Sequence, residues 1–149
     1  MPTFDDACDK RKAAEESLKD YRYADAIFHA QECIEFSIKA FLQALGIMYE
    51  PKHELKVHYF RDALEKLRSK LKEGWETEDA RIMLARAKVW MDLLGKIRSY
   101  AEGYTPLDVP AKNLFDFRLE GFAKSVVDSV SSVNIYLEIM ARRMSLLRS

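Results

Sequence analysis

Two residues near the end of a long amphipathic segment have side chains suited to phosphate chemistry. Arg98 and Tyr104 stand in the stretch IRSYAEGYTPLDVP, where a helical pattern gives way to a loop with two prolines. An arginine can hold a phosphate and stabilise charge in a transition state. A tyrosine, with a reference pKa of about 10, is a poor base at pH 7, but it can donate a hydrogen bond or stack on a base. The alternative is that Arg98 makes a salt bridge or caps the helix, whose C-terminus favours positive charge.

Glu35 and Lys39 form a second candidate pair. They are four residues apart with the glutamate first, which is the favourable order for an ion pair on a helix. The pair either stabilises the helix or places its lysine in a groove where it meets a phosphate. Arg22, between two tyrosines in YRYADA, leaves a similar choice between a turn packed by aromatic rings and a platform for base stacking.

The histidines and cysteines do not form a metal pattern. His53 and His58 are five residues apart in HELKVH, whereas a zinc-protease helix needs two histidines four apart so that both face the metal. His29 and Cys33 have the spacing of four but lack further ligands nearby. We therefore expect no metal and no cofactor. Cys8 and Cys33 are interpreted as free thiols in a reducing compartment.

The composition limits the class of protein. The chain has 149 residues, a length that suits one domain over residues 1–149. Its 24 basic and 24 acidic side chains give a net charge of zero, which argues against binding nucleic acid by bulk electrostatics but leaves a local basic site open. The start of the chain lacks the apolar core of a signal peptide, and no apolar run approaches the length of a membrane span. We expect a cytoplasmic protein.

Periodicity predicts five helices and no strand. Thr3 and Asp6 are expected to cap the first helix, and the second is expected over about Tyr23 to Leu45, ending at Gly46. The third is expected over about Leu55–Leu71. The fourth is expected to begin after Thr77, and the fifth to run from about Leu114 to Met144. The fold class is therefore all-α, an antiparallel bundle of four to five helices.

The apolar positions of these helices fall into stripes. On the fourth and fifth helices the apolar residues recur at threes and fours, the spacing of a helix packed along long neighbouring helices. Those neighbours can belong to the second chain of a dimer or to the core of a monomer. The predicted stripes are Ile27, Ile34, Ile38, Phe41 and Leu45; Phe60, Leu64, Leu67 and Leu71; Met83, Ala87, Trp90, Leu94, Ile97 and Ala101; and Leu119, Phe122, Val126, Val130, Val133, Leu137, Met140 and Met144.

One segment resembles a known family. The stretch AEESLKDYRYADAIFHAQECIEFSIKAFLQALGI, followed by KHEL, is similar to the HEPN (higher eukaryotes and prokaryotes nucleotide-binding) family, of the prokaryotic stand-alone type. The similarity covers roughly residues 13–67 and lies in an acidic first helix, an aromatic turn, a patterned second helix and a loop histidine. The matching residues are Ala26, Ala30, Gln31, Glu35, Lys39, Ala40, His53 and Leu55.

The resemblance implies a helical bundle that usually dimerises, and it implies two functions. In the first, the chain is a non-catalytic module that binds a nucleotide, a phosphate or a partner. That module can be paired with a small nucleotidyltransferase in a toxin–antitoxin-type system. Its nucleotide-binding candidates are Lys39, Glu35, His53 and Arg98.

In the second, it is a metal-independent endoribonuclease toxin with Arg98 and Tyr104 as catalytic residues at a dimer cleft. RNase members carry a histidine where this chain has Tyr104, so the first function is favoured. A third possibility is a helical adaptor whose partner surface lies far from Arg98.

Overall fold

The computed structural model describes residues 2–49, 55–70, 74–102 and 119–148, without the side chains of 70, 74–77, 98–102 and 144–148. This part of the chain holds five helices and no strand. They are α1 (Phe4–Lys19), α2 (Tyr23–Ala44), α3 (Val57–Lys70), α4 (Gly74–Glu102) and α5 (Glu120–Arg148). The all-α class is confirmed. None of these helices is long and apolar enough to cross a membrane.

The ends of α1 and α2 follow from local chemistry. Thr3 caps α1 in a capping box with Asp6, as predicted, and the backbone N–H of Thr3 holds the pKa of the Asp6 carboxyl below its usual range. At the end of α2, Gly46 has a φ of +74° and the Ile47 N–H donates to the Leu42 carbonyl at 2.9 Å. Together with the bond from Gly46 to Gln43, this is a Schellman motif, so the predicted stop at Gly46 is confirmed.

The helix α2 lies at the centre of the fold. It packs on α1, α4 and α5, and it supplies five of the eleven largest side chains that are fully buried in the described part of the chain, among them Tyr23, Phe41 and Leu42. A helix that is apolar around most of its surface must be covered on several sides. All five positions of the stripe predicted for α2 are buried. The three buried polar residues of α2, Glu35, Ser37 and Lys39, are therefore held in place by the core around them.

Contacts along the helices give their directions. Tyr23 lies beside Glu120, and Asn134 bonds to Ser37 further along, so α2 and α5 run the same way. Glu15 of α1 accepts a hydrogen bond from Ser131 at 3.3 Å, and Phe4 shares a cleft with Ala141, so α1 is antiparallel to α5. The predicted antiparallel arrangement therefore holds for α1 with α2 and with α5, while α2 and α5 are parallel.

Three sequence predictions are corrected. The helix α4 begins at Gly74, so Thr77 lies inside it and is not its N-cap. Acidic residues are favoured in a first turn, and Glu76 lies in the turn that the longer helix adds.

On α3 the buried face is formed by Tyr59, Ala63 and Leu67, while Phe60 and Leu64 are only partly buried. The predicted start of the last helix, Leu114, lies outside the described residues, and its end is at Arg148 rather than Met144.

Candidate functional site

The predicted pair Glu35 and Lys39 forms a buried ion pair on α2. The Lys39 Nζ atom donates to a Glu35 carboxylate oxygen at 2.7 Å, and the two side chains are only 7% and 9% exposed. Burial and the Glu35 charge raise the pKa of the nearby Tyr49 hydroxyl above its usual value. The positive charge of Lys39 is therefore already matched by Glu35, and an incoming phosphate would have to compete with that carboxylate.

A second polar group lies buried between α2 and α5. Asn134 is fully buried and donates from Nδ2 to the Ser37 hydroxyl at 2.8 Å, and that hydroxyl donates to the Cys33 carbonyl at 2.7 Å. The Asn134 Oδ1 atom has no hydrogen-bond partner among the described residues. This group fixes the register of the two parallel helices, because sliding either one would leave more buried polar atoms unbonded.

The two thiols have different surroundings. Burial raises the pKa of the Cys33 thiol to about 12, against the opposing hydrogen bond with Ser37. Cys8 is partly exposed, and Arg11 donates from Nη2 to its sulfur at 3.3 Å. Both are free thiols, as predicted. Cys33 is therefore protonated and unreactive in the folded chain.

The remaining histidine and arginine candidates have ordinary partners. His29 lies 3.2 Å from a Glu32 oxygen and is not joined to Cys33. In the described part of the chain, no three His, Cys, Asp or Glu residues could hold a metal. Arg22 pairs with Asp25, and of its two neighbouring tyrosines one is buried and the other is 61% exposed. The two rings therefore do not form one stacking platform.

The first half of the chain carries a recognisable family pattern. The family model for the HEPN domain matches residues 3–87, which span α1, α2, α3 and the first half of α4. The chain belongs to the HEPN family. No curated protein and no solved structure matches it. The matched part includes the buried pair Glu35–Lys39, whereas Arg98 and Tyr104 lie beyond it.

The other site candidates of this HEPN chain are placed only in part. The backbone of Arg98 lies in α4, four residues before the described end of that helix. Its Cα lies on the same face of α4 as Ala87, Met91 and Leu94, since these precede it by eleven, seven and four residues. Tyr104 and His53 lie outside the described residues, so their roles stay predictions.

Sequence reasoning missed the bond between Asn134 and Ser37 and the approach of Tyr49 to Glu35. Asn134 could have been noticed, because it is an amide among valines and leucines at core spacing on α5. Tyr49 follows the Schellman turn, and only the folded backbone brings it back to the middle of α2.

Proposed function

We propose that this HEPN-family protein is a non-catalytic binding module whose ligand carries a phosphate group, either a nucleotide or RNA. Arg98 is the group that meets the phosphate. The observation that supports this is its position on α4, where it continues a face whose earlier members Ala87 and Leu94 are fully buried. Arginine is rare on such a face unless it is paired or functional.

The proposed module works as a homodimer in the cytoplasm. Two copies bring their Arg98 residues to one cleft, and a small nucleotidyltransferase is the partner protein in a toxin–antitoxin-type system. Membership of the HEPN family over residues 3–87 supports both the homodimer and the nucleotidyltransferase partner. Lys39 and Glu35 remain candidates for nucleotide binding, but their mutual bond makes them first of all a support for α2.

The test is a calorimetric titration of the purified chain with ATP, beside adenosine as the ligand without phosphate. ATP should bind and adenosine should bind much more weakly. Arg98→Ala should weaken ATP binding by at least tenfold, since a hydrogen bond to a charged group contributes about 1.5–3 kcal/mol.

Arg86→Ala is the matched control, because Arg86 is an exposed arginine on the same helix. It should leave the affinity unchanged. Equal binding of ATP and adenosine, or an Arg98→Ala protein that binds ATP normally, would remove Arg98 from the site.

The second candidate is a metal-independent endoribonuclease. It is favoured by the order of Arg98, which lies in the last turns of the long helix α4, and Tyr104, six residues later in the chain. This order matches the arginine and the interval of HEPN ribonucleases but not their histidine. In this case Tyr104 would orient the attacking 2′-hydroxyl. The mark of this function is RNA cleavage in EDTA that Arg98→Ala abolishes.

A further inference from the structure

A groove is lined by residues of α3 and α4. Its volume is about 450 Å³, and its surface is mostly apolar. Phe60 and Leu64 of α3 and Ala85 of α4 contribute to this lining. Val57 and Val89 also line it and are 57% and 64% exposed. Large apolar side chains that share a concave exposed surface mark an interaction site more often than scattered ones do.

The rim of the groove is predominantly basic. Arg61, Arg81 and Lys88 line it, and Asp92 is the acid among the lining residues. Lys88 bonds to Asp92 at 3.1 Å and Arg81 pairs with Glu78. Among the described residues, Arg61 has neither an ion pair nor a hydrogen bond. The rim therefore offers at least one positive charge that no described residue pairs with.

The groove has the length and spacing that receive a helix. Its lining on α4 extends from Arg81 to Asp92, about 16 Å at the rise of an α-helix. On α3 the lining positions share one face, since Phe60 and Arg61 follow Val57 by three and four residues and precede Leu64 by four and three. An amphipathic helix of about three turns presents its anchors at the same intervals.

We propose that the α3–α4 groove docks an acidic amphipathic helix of a partner protein. The apolar face of that helix covers Phe60, Leu64 and Val89, and its carboxylates face Arg61, Arg81 and Lys88. This interaction is separate from the proposed phosphate site at Arg98 and does not depend on it.

The charge of the rim selects this occupant over a second copy of the chain. Two identical grooves placed face to face would bring three cations of each copy together with two carboxylates, Asp92 and Glu78, which already pair with Lys88 and Arg81. The remaining positive charge of Arg61 in one copy would meet that of the other, and like charges across an interface are unfavourable. A partner with the opposite charge removes that repulsion. It also provides an ion pair for Arg61.

The test uses two labelled 16-residue helical peptides with the same leucines at intervals of three and four. One carries glutamates and the other carries lysines at the remaining positions. Fluorescence anisotropy with the full chain should show saturable binding of the glutamate peptide, at least tenfold tighter than the lysine peptide. Val89→Asp should abolish that binding. Arg61→Glu should lower the affinity for the glutamate peptide severalfold and raise the affinity for the lysine peptide, because it reverses one charge at the rim.

Two matched variants lie outside the groove. Ile139→Asp changes an exposed isoleucine of α5, and Arg68→Glu changes an exposed arginine of α3. Both should bind the glutamate peptide like the unchanged chain. The proposal is wrong if the glutamate peptide does not bind, if both peptides bind equally, or if Ile139→Asp acts like Val89→Asp. A dimer of the unchanged chain that Val89→Asp dissociates would show that a second copy occupies the groove.

Discussion

Replacing Lys39 with methionine is expected to destabilise the fold strongly. The change keeps the length of the side chain but leaves Glu35 buried without the lysine's charge, and their side chains are too buried for water to replace it. Breaking such a pair from one side costs about 3–5 kcal/mol. For a domain of this size, that corresponds to a fall in Tm of roughly 6–20 °C.

The double variant Glu35→Leu/Lys39→Met separates the ion pair from the packing around it. With both charges gone, the free energy of unfolding should return to within about 1–2 kcal/mol of the unchanged chain. The assay is urea denaturation followed by circular dichroism for the four proteins of the cycle.

Lys88→Met is the matched control, since Lys88 and Asp92 form another ion pair four residues apart, with side chains 26% and 49% exposed. That variant should cost less than about 1 kcal/mol. The reasoning would be refuted if Lys39→Met cost no more than Lys88→Met, or if the effects of the two single substitutions simply added in the double variant.

Two further predictions concern Cys33 and Tyr21. The pKa of Cys33 is about 12 in the folded chain and near 9 in the unfolded chain. As the pH rises from 9 towards 12, the unfolded chain releases the thiol proton while the folded chain keeps it, so the free energy of unfolding falls over that range. Urea unfolding at pH 8, 9 and 10 should show this decline, and the decline should be smaller in Cys33→Ala. Tyr21 has a φ of +61° and is largely exposed, so Tyr21→Gly should raise the free energy of unfolding by about 1 kcal/mol. A lower Tm for this variant would show that the ring makes contacts that outweigh the backbone strain.

The sequence predicted the features whose causes are local. Thr3 and Asp6 are three residues apart, so the capping box needs nothing from the rest of the chain. Gly46 ends α2 because a left-handed residue is needed there, and glycine takes that conformation without strain. The Glu35–Lys39 bond also follows from spacing along one helix.

The features that were missed depend on neighbours distant in the chain. The burial of the Glu35–Lys39 pair comes from the helices around α2, and spacing alone cannot give it. The buried face of α3 was predicted to include Phe60 and Leu64. The helix α4 covers that side only in part, so these two side chains form a wall of the groove. Asn134 meets Ser37 because α2 and α5 run parallel, a direction that no local pattern contains.

The most direct test of the proposed function is to mix the purified chain with labelled mixed-sequence RNA in EDTA and measure binding and cleavage in the same samples. The account predicts that the RNA is bound saturably and stays intact. It also predicts that Arg98→Ala loses the binding, while Arg86→Ala keeps it. RNA cut by the unchanged chain and left whole by Arg98→Ala would contradict the account and make the protein a ribonuclease.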